Sequence, residues 1–345
     1  MVFNYKMPAM KTARLLYIVL PLLLLVLIIT DKILLPKKTH PRESHVKTNY
    51  DSSSNEWFPP DEASIPQTQE GELIRYGQDL IANTSYYLGP KGKVAAITNG
   101  MNCQNCHLEA GEKPYGNCFS AVASIYPTFR PRSGIVESIE FRINDCLQRS
   151  LNGKTIDSTS RDMKAMVAFL KWLGKDVPKG MKPKGANIEE LPFLNRAADT
   201  VKGKTVFIAK CQVCHGQNGE GVLQNDSVSY RYPPLWGNHS YSNGAGLYRL
   251  TRFAGYIKDN MPFGASHNKP LLTNEEAWDV AAYVNSQPRP EKTFPKDWPD
   301  ISLKAIDYPY GPFADTFSAA QHKYGPFGII KKAKEESKKK SKQGK

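Results

Sequence analysis

Cys103-Gln104-Asn105-Cys106-His107 and Cys211-Gln212-Val213-Cys214-His215 are two Cys-x-x-Cys-His pentads whose first cysteines stand 108 positions apart in a chain of 345 residues. In such a pentad two thiols add across the two vinyl groups of a porphyrin, and the adjoining imidazole turns under the ring as an iron ligand. A zinc half-site and a thioredoxin-like redox pair are the competing uses of a Cys-x-x-Cys. A structural zinc needs four ligands, whereas each pentad offers at most three and no further Cys-x-x-Cys or His-x-x-x-His lies close by. A thioredoxin motif sits at a strand end in a strand–helix–strand unit, and neither pentad has that setting. The pair therefore assigns two covalently bound haem c groups, attached through Cys103, Cys106, Cys211 and Cys214, with His107 and His215 as iron ligands.

Outward from the pentads, the flanking sequence repeats. Ahead of the second, Val201, Thr205, Ile208 and Ala209 recur at helical spacing with Gly203 inside, and after it Thr273-Asn274-Glu275-Glu276 caps a helix through Ala277, Trp278, Val280, Ala281 and Val284. The first unit has Leu73, Gly77, Leu80 and Ile81 before its pentad and Met163, Met166, Val167, Leu170 and Trp172 after it. A glycine in each opening helix lets the closing helix approach its backbone. This predicts a mainly α fold of two cytochrome c-like domains in tandem, over residues 71–185 and 186–290.

Residues 15–29 form an apolar run behind Lys6, Lys11 and Arg14. With its extension to residue 35 the run is long enough for a transmembrane anchor, and a cleaved signal is the rival reading. Residues 1–14 then stay cytoplasmic, 36–70 form a polar, turn-rich tether, and the remainder is periplasmic. Residues 291–330 read as a wrapping segment and 331–345 as a basic disordered tail. Eight lysines and two glutamates in 331–345 supply +6 of the formal +13, so the basic balance is largely a terminal feature and no nucleic-acid partner is indicated.

The remaining iron ligands set the chemistry. Met261 is the one methionine after Cys214, in Asp259-Asn260-Met261-Pro262-Phe263-Gly264, and is the expected partner of His215; His239, His267 and Lys258 are the lesser candidates. Pro233-Pro234-Leu235 offers a carbonyl to fix the His215 tautomer. The first unit has no Met-Pro turn. Its two spare cysteines, Cys118 and Cys146, form a disulfide in one reading. In the other, Cys146 lies among cations that stabilise a thiolate and is itself a strongly donating iron ligand. A disulfide would leave Met163 or Met166 as the ligand.

Asn102 to Gly111, Tyr126-Pro127-Thr128-Phe129-Arg130-Pro131-Arg132, Arg142-Ile143-Asn144-Asp145-Cys146 with Ser150 to Lys154, Asn260-Met261-Pro262, and the closing blocks at 308–315 and 321–327 together resemble the diheme thiosulfate dehydrogenase family of periplasmic cytochromes. The resemblance implies an active-site haem held by His107 and Cys146 and an electron-transfer haem held by His215 and Met261. It implies oxidation of two thiosulfates to tetrathionate, or the reverse. It places Arg132, Arg142, Ser150 and Lys154 with Cys146 at the substrate. A small cytochrome c or a membrane oxidase is the expected redox partner. The rival function is a membrane-anchored diheme electron carrier without a substrate, which would want two His/Met haems and no anion pocket.

Overall fold

The computed structural model describes residues 48–343, with side chains to 340. The expected anchor at 15–35, its flank at 1–14 and the beginning of the tether lie outside the described residues. Among the described residues no helix is long and apolar enough to cross a membrane. Helices dominate, and the strands form three two-stranded antiparallel pairs.

Each unit is built on one helix crossing. In the first, α1 (Gln69–Ala82) starts at Thr68, whose side chain accepts from Gly71 N; α2 (Ile139–Arg149) and α3 (Arg161–Leu173) start at Ser138 and Ser160 in the same way. In the second, Asp199 caps α4 (Thr200–Lys210), α5 (Leu250–Asn260) follows, and α6 (Asn274–Ser286) opens on a capping box between Thr273 and Glu276. Helix α1 crosses α3, and α4 crosses α6. A Cβ added at Gly77 would stand 2.0 Å from the Ala165 carbonyl oxygen, and one at Gly203 would stand 1.9 Å from that of Asp279. Both crossings thus rest on a glycine, as the spacing predicts. Leu80, Met163, Phe169 and Leu173 fill the first core; Phe207, Leu250, Trp278 and Val280 fill the second.

Gly77→Ala gains up to about 1 kcal/mol of helix propensity but drives its methyl into a backbone oxygen that no rotamer change moves aside. We expect a net loss of about 1–3 kcal/mol, read as a lower denaturation midpoint of the haem-loaded protein. An unchanged midpoint would show that the crossing is not tight.

Three expectations are corrected. The segment 48–70 is not a free tether: Tyr50–Asp51 pairs with Glu56–Trp57, and Tyr50, Trp57 and Ile65 are buried in the first core, with Trp57 Nε1 donating to the Leu173 carbonyl (3.2 Å). Aromatic burial outweighs the polar composition between those residues. On α4, Val201 and Ile208 of the apolar stripe are exposed, while Gly203 and Phe207 face the core. The close glycine contact, not the branched side chains, sets that helix's rotation. Residues 331–343 are not disordered but continue α7 (Phe327–Gln343), whose Phe327 and Ile330 are buried in the second core. That apolar first turn seats the helix, and the lysines extend from it.

Between α6 and α7 the chain returns to the first unit. Lys292 Nζ donates to the Gln148 and Gly153 carbonyls (both 3.0 Å) at the end of α2, and Trp298 N donates to the Arg132 carbonyl (2.6 Å). Elsewhere the units meet where Tyr256 Oη donates to Asn105 O (3.2 Å) and Asn260 Nδ2 to Tyr115 O (3.0 Å).

Candidate functional site

A cavity of about 250 Å³ in the first unit is lined by Cys103, Cys106, His107, Arg142, Cys146 and Ser150, among others. Arg142, Cys146 and Ser150 fall at i, i+4 and i+8 along α2 and its C-cap, one helical face. That face brings a cation, a thiol and a hydroxyl to the wall that also carries the pentad. His107 Nδ1 donates to the Asn117 carbonyl (2.6 Å), and the Asn117 amide lies 3.3 Å from Nε2. This tautomer leaves Nε2 with the lone pair a metal takes. Burial lowers the His107 pKa to about 4, so the ring is neutral. Phe119 stacks on it at 4.2 Å and leans on Gly111, where φ is +89° and a Cβ would meet the ring at 1.9 Å.

Cys146 and Cys118 are both free thiols. Cys118 is buried, accepts from Ser120 N (3.4 Å), and burial pushes its thiol up. The disulfide reading therefore falls, and Cys146 keeps its sulfur in the cavity. Met163 and Met166 belong to the core, though Met166 also reaches the cavity wall.

Behind Cys146 lies a charge cluster. Asp145 accepts from Arg132, Arg142 and Arg149 at once. Arg149 also makes a two-point contact with Asp297 (2.8 and 2.6 Å), and its guanidinium lies 3.5 Å from the centre of the Phe294 ring. Burial would raise the Asp145 carboxyl, but the three arginines hold it below its ordinary value. The pKa of Arg142 is raised, with the Cys146 sulfur as first cause.

Of the residues expected at the substrate, Arg142 and Ser150 line the cavity with Cys146. Arg132 stands behind them, paired with Asp145, and Lys154 is exposed and away from the cavity wall. Sequence reasoning missed the role of Asp145, although arginines at −3 and +4 from it on a helix are a legible signal. Nothing local marks Asp297, 148 residues from its partner.

The second cavity, about 490 Å³, is lined by Cys211, Cys214, His215 and Met261. His215 Nδ1 donates to the Pro233 carbonyl (2.9 Å), one of those expected to hold it. The lesser ligand candidates lie elsewhere: Lys258 Nζ donates to Leu272 O (2.5 Å), His267 pairs with Asp259 (3.1 Å), and His239 is exposed. Asn102 and Cys106 line both cavities, so the two sites abut. Val213 and Phe263 are 84% and 93% exposed beside the second cavity.

Each cavity thus combines two pentad thiols, an imidazole whose Nδ1 is spent on a backbone carbonyl and a further sulfur donor, and this set fits haem c. Burial pushes Cys103 and Cys211 up to about 11 and Cys106 up to about 12. As free groups they would be protonated thiols, unlike the low-pKa thiolate of a redox pair.

Residues 93–178 match the SoxA/TsdA cytochrome c domain family, and residues 200–288 match the cytochrome c family. The thiosulfate dehydrogenase of Psychrobacter arcticus is 39% identical over 242 residues, covering 70% of this chain and 71% of its own length. That of Allochromatium vinosum is 37% identical over 235 residues, 67% of this chain and 83% of its own length. The solved thiosulfate dehydrogenase (TsdBA) of Marichromatium purpuratum superposes with a TM-score of 0.65 at 29% identity over 76% of this chain, which spans 55% of that longer chain. Both haem domains are therefore present, and the protein carries two covalently bound haem c groups.

Proposed function

We propose that this chain, which belongs to the thiosulfate dehydrogenase family, joins two thiosulfate ions into tetrathionate with release of two electrons. One observation carries the reading: Arg142, Cys146 and Ser150 share one helix face and one cavity wall with Cys103, Cys106 and His107.

Cys103, Cys106 and His107, together with Cys146, would hold a haem that would supply a one-electron acceptor at this site. The residues around it handle charge. Two unit charges of like sign 4 Å apart near a protein surface repel by about 4 kcal/mol, and two dianions multiply that figure. Arg142 offsets it in the cavity, Ser150 offers a hydroxyl donor, and Arg132 adds positive potential from behind. The Cys146 thiolate and one thiosulfate form a sulfur–sulfur bond as two electrons leave. The second thiosulfate attacks the adduct sulfur that is bonded to Sγ, forms tetrathionate as the Sγ–S bond breaks and expels the thiolate. No proton is consumed, so no general base is required. Cys211, Cys214, His215 and Met261 would hold a second haem that would supply the next electron acceptor, in a cavity that abuts the first at Asn102 and Cys106. The external acceptor is a small cytochrome c or a membrane oxidase, and the reaction is periplasmic, tethered by the amino-terminal segment.

Steady-state assays with the haem-loaded protein and an artificial acceptor test this: we expect one tetrathionate for every two acceptor electrons. Absence of turnover in both directions would leave the electron-carrier function. The second haem provides a separate check. Met261→Gln replaces a thioether by an amide oxygen, and we expect its potential to fall by on the order of 0.1 V, out of the roughly 0.8 V that axial ligation spans. Spectroelectrochemistry of both haems reads this, and an unmoved potential would remove Met261 from the ligand set.

A further inference from the structure

We propose that Glu189, Asp259 and His267 form a binding site for one divalent transition-metal ion of the zinc class, at the junction of the two cytochrome domains. Their ligand atoms lie within 4.8 Å of one another. His267 Nδ1 stands 3.1 Å from an Asp259 oxygen and 3.5 Å from a Glu189 oxygen. Ligands about 2.1 Å from a zinc ion in tetrahedral or octahedral array stand roughly 3.0–3.4 Å apart, so two of the three edges are near their bound length.

The second observation is electrostatic. The Asp259 side chain is 1% exposed, yet its Oδ2 has no hydrogen-bond donor. Among the described residues, His267 is the one ion-pair partner of either carboxylate. A single imidazole proton cannot serve two carboxylates, and a buried carboxylate oxygen left without a donor is costly. One divalent ion neutralises both. The imidazole selects the class, since nitrogen donors suit zinc, nickel or copper rather than calcium or magnesium.

Access and rigidity also fit. Glu189 and His267 are 35% and 32% exposed, so an ion has a path in and water completes its shell. The imidazole is held by a parallel stack on Tyr115 at 3.6 Å, 3° between planes. Glu189 comes from the connection between α3 and α4, Asp259 from the last turn of α5, and Tyr115 from the loop that carries Asn117, the anchor of His107. Bound metal would pin these three segments together.

The test uses the full haem-loaded chain, stripped with a chelator and titrated calorimetrically with zinc chloride. We expect one zinc ion per chain at micromolar affinity or better, a higher melting temperature with zinc, and at least tenfold weaker binding in both Glu189→Gln and His267→Ala. Glu189→Gln keeps the shape of a partly exposed side chain, and an unchanged haem spectrum confirms that the variant is folded. Absence of a stoichiometric site in the wild type, or equal affinity in the wild type and Glu189→Gln, overturns the proposal.

Discussion

Replacing Cys146 with glycine is expected to lower thiosulfate-dependent reduction of an artificial acceptor by on the order of 10³-fold or more, the scale seen when a nucleophile acting as part of a unit is removed. The sulfur has two tasks in the proposed reaction: it ligates iron and forms the transient bond to the first thiosulfate. No neighbour takes over the covalent task. Cys118 is buried and bonded to its own loop, and Met166 is a thioether that cannot form a displaceable sulfur–sulfur bond. A glycine within α2 costs about 1 kcal/mol of helix stability, so Cys146→Ala is the companion variant and must lose activity equally. The absorption spectrum of the second haem should be unaltered in both. Full turnover in either variant would rule out a covalent role for this residue.

Arg142→Gln is expected to lower kcat/KM for thiosulfate by about 10²–10³-fold, the range for removing one preorganised charge-stabilising donor. Arg142 faces both Asp145 and Cys146. Its loss removes the cation that lets a second anion approach the sulfur. Arg142→Lys keeps the charge and loses the fork geometry, so partial recovery is expected. Steady-state kinetics of the three proteins decides the matter: equal losses in the Gln and Lys variants would assign Arg142 a packing role instead.

Features set by local chemistry were readable in the chain. The pentads and the Thr273 cap need only neighbours within a turn, while the glycine in each opening helix and the Pro233 carbonyl were legible from the frame around each pentad although their partners lie farther along the chain. Arg142, Cys146 and Ser150 follow from helical period once α2 is recognised. What escaped depends on distant partners. Arg132 belongs to the site only through Asp145, and Lys154 leaves it because the chain after α2 turns toward Ile97, whose carbonyl accepts from Lys154 N (3.1 Å). The burial of Trp57 and the docking of α7 are likewise settled by a core that neither segment encodes alone.

The strap of residues 292–298 gives this architecture an order in time. Helix α2 is synthesised long before Asp297, yet Arg149 reaches its two-point partner only when the chain has passed through the whole second domain and come back. Until then Asp145 shares three arginines with no second carboxylate, and the carbonyls at the end of α2 lack the Lys292 ammonium. A nascent or truncated chain ending before the strap therefore holds a first domain with its pentad and its reactive sulfur but an unbalanced arginine cluster. The arginine cluster behind Cys146 is thus completed last, after the second cytochrome domain has been made.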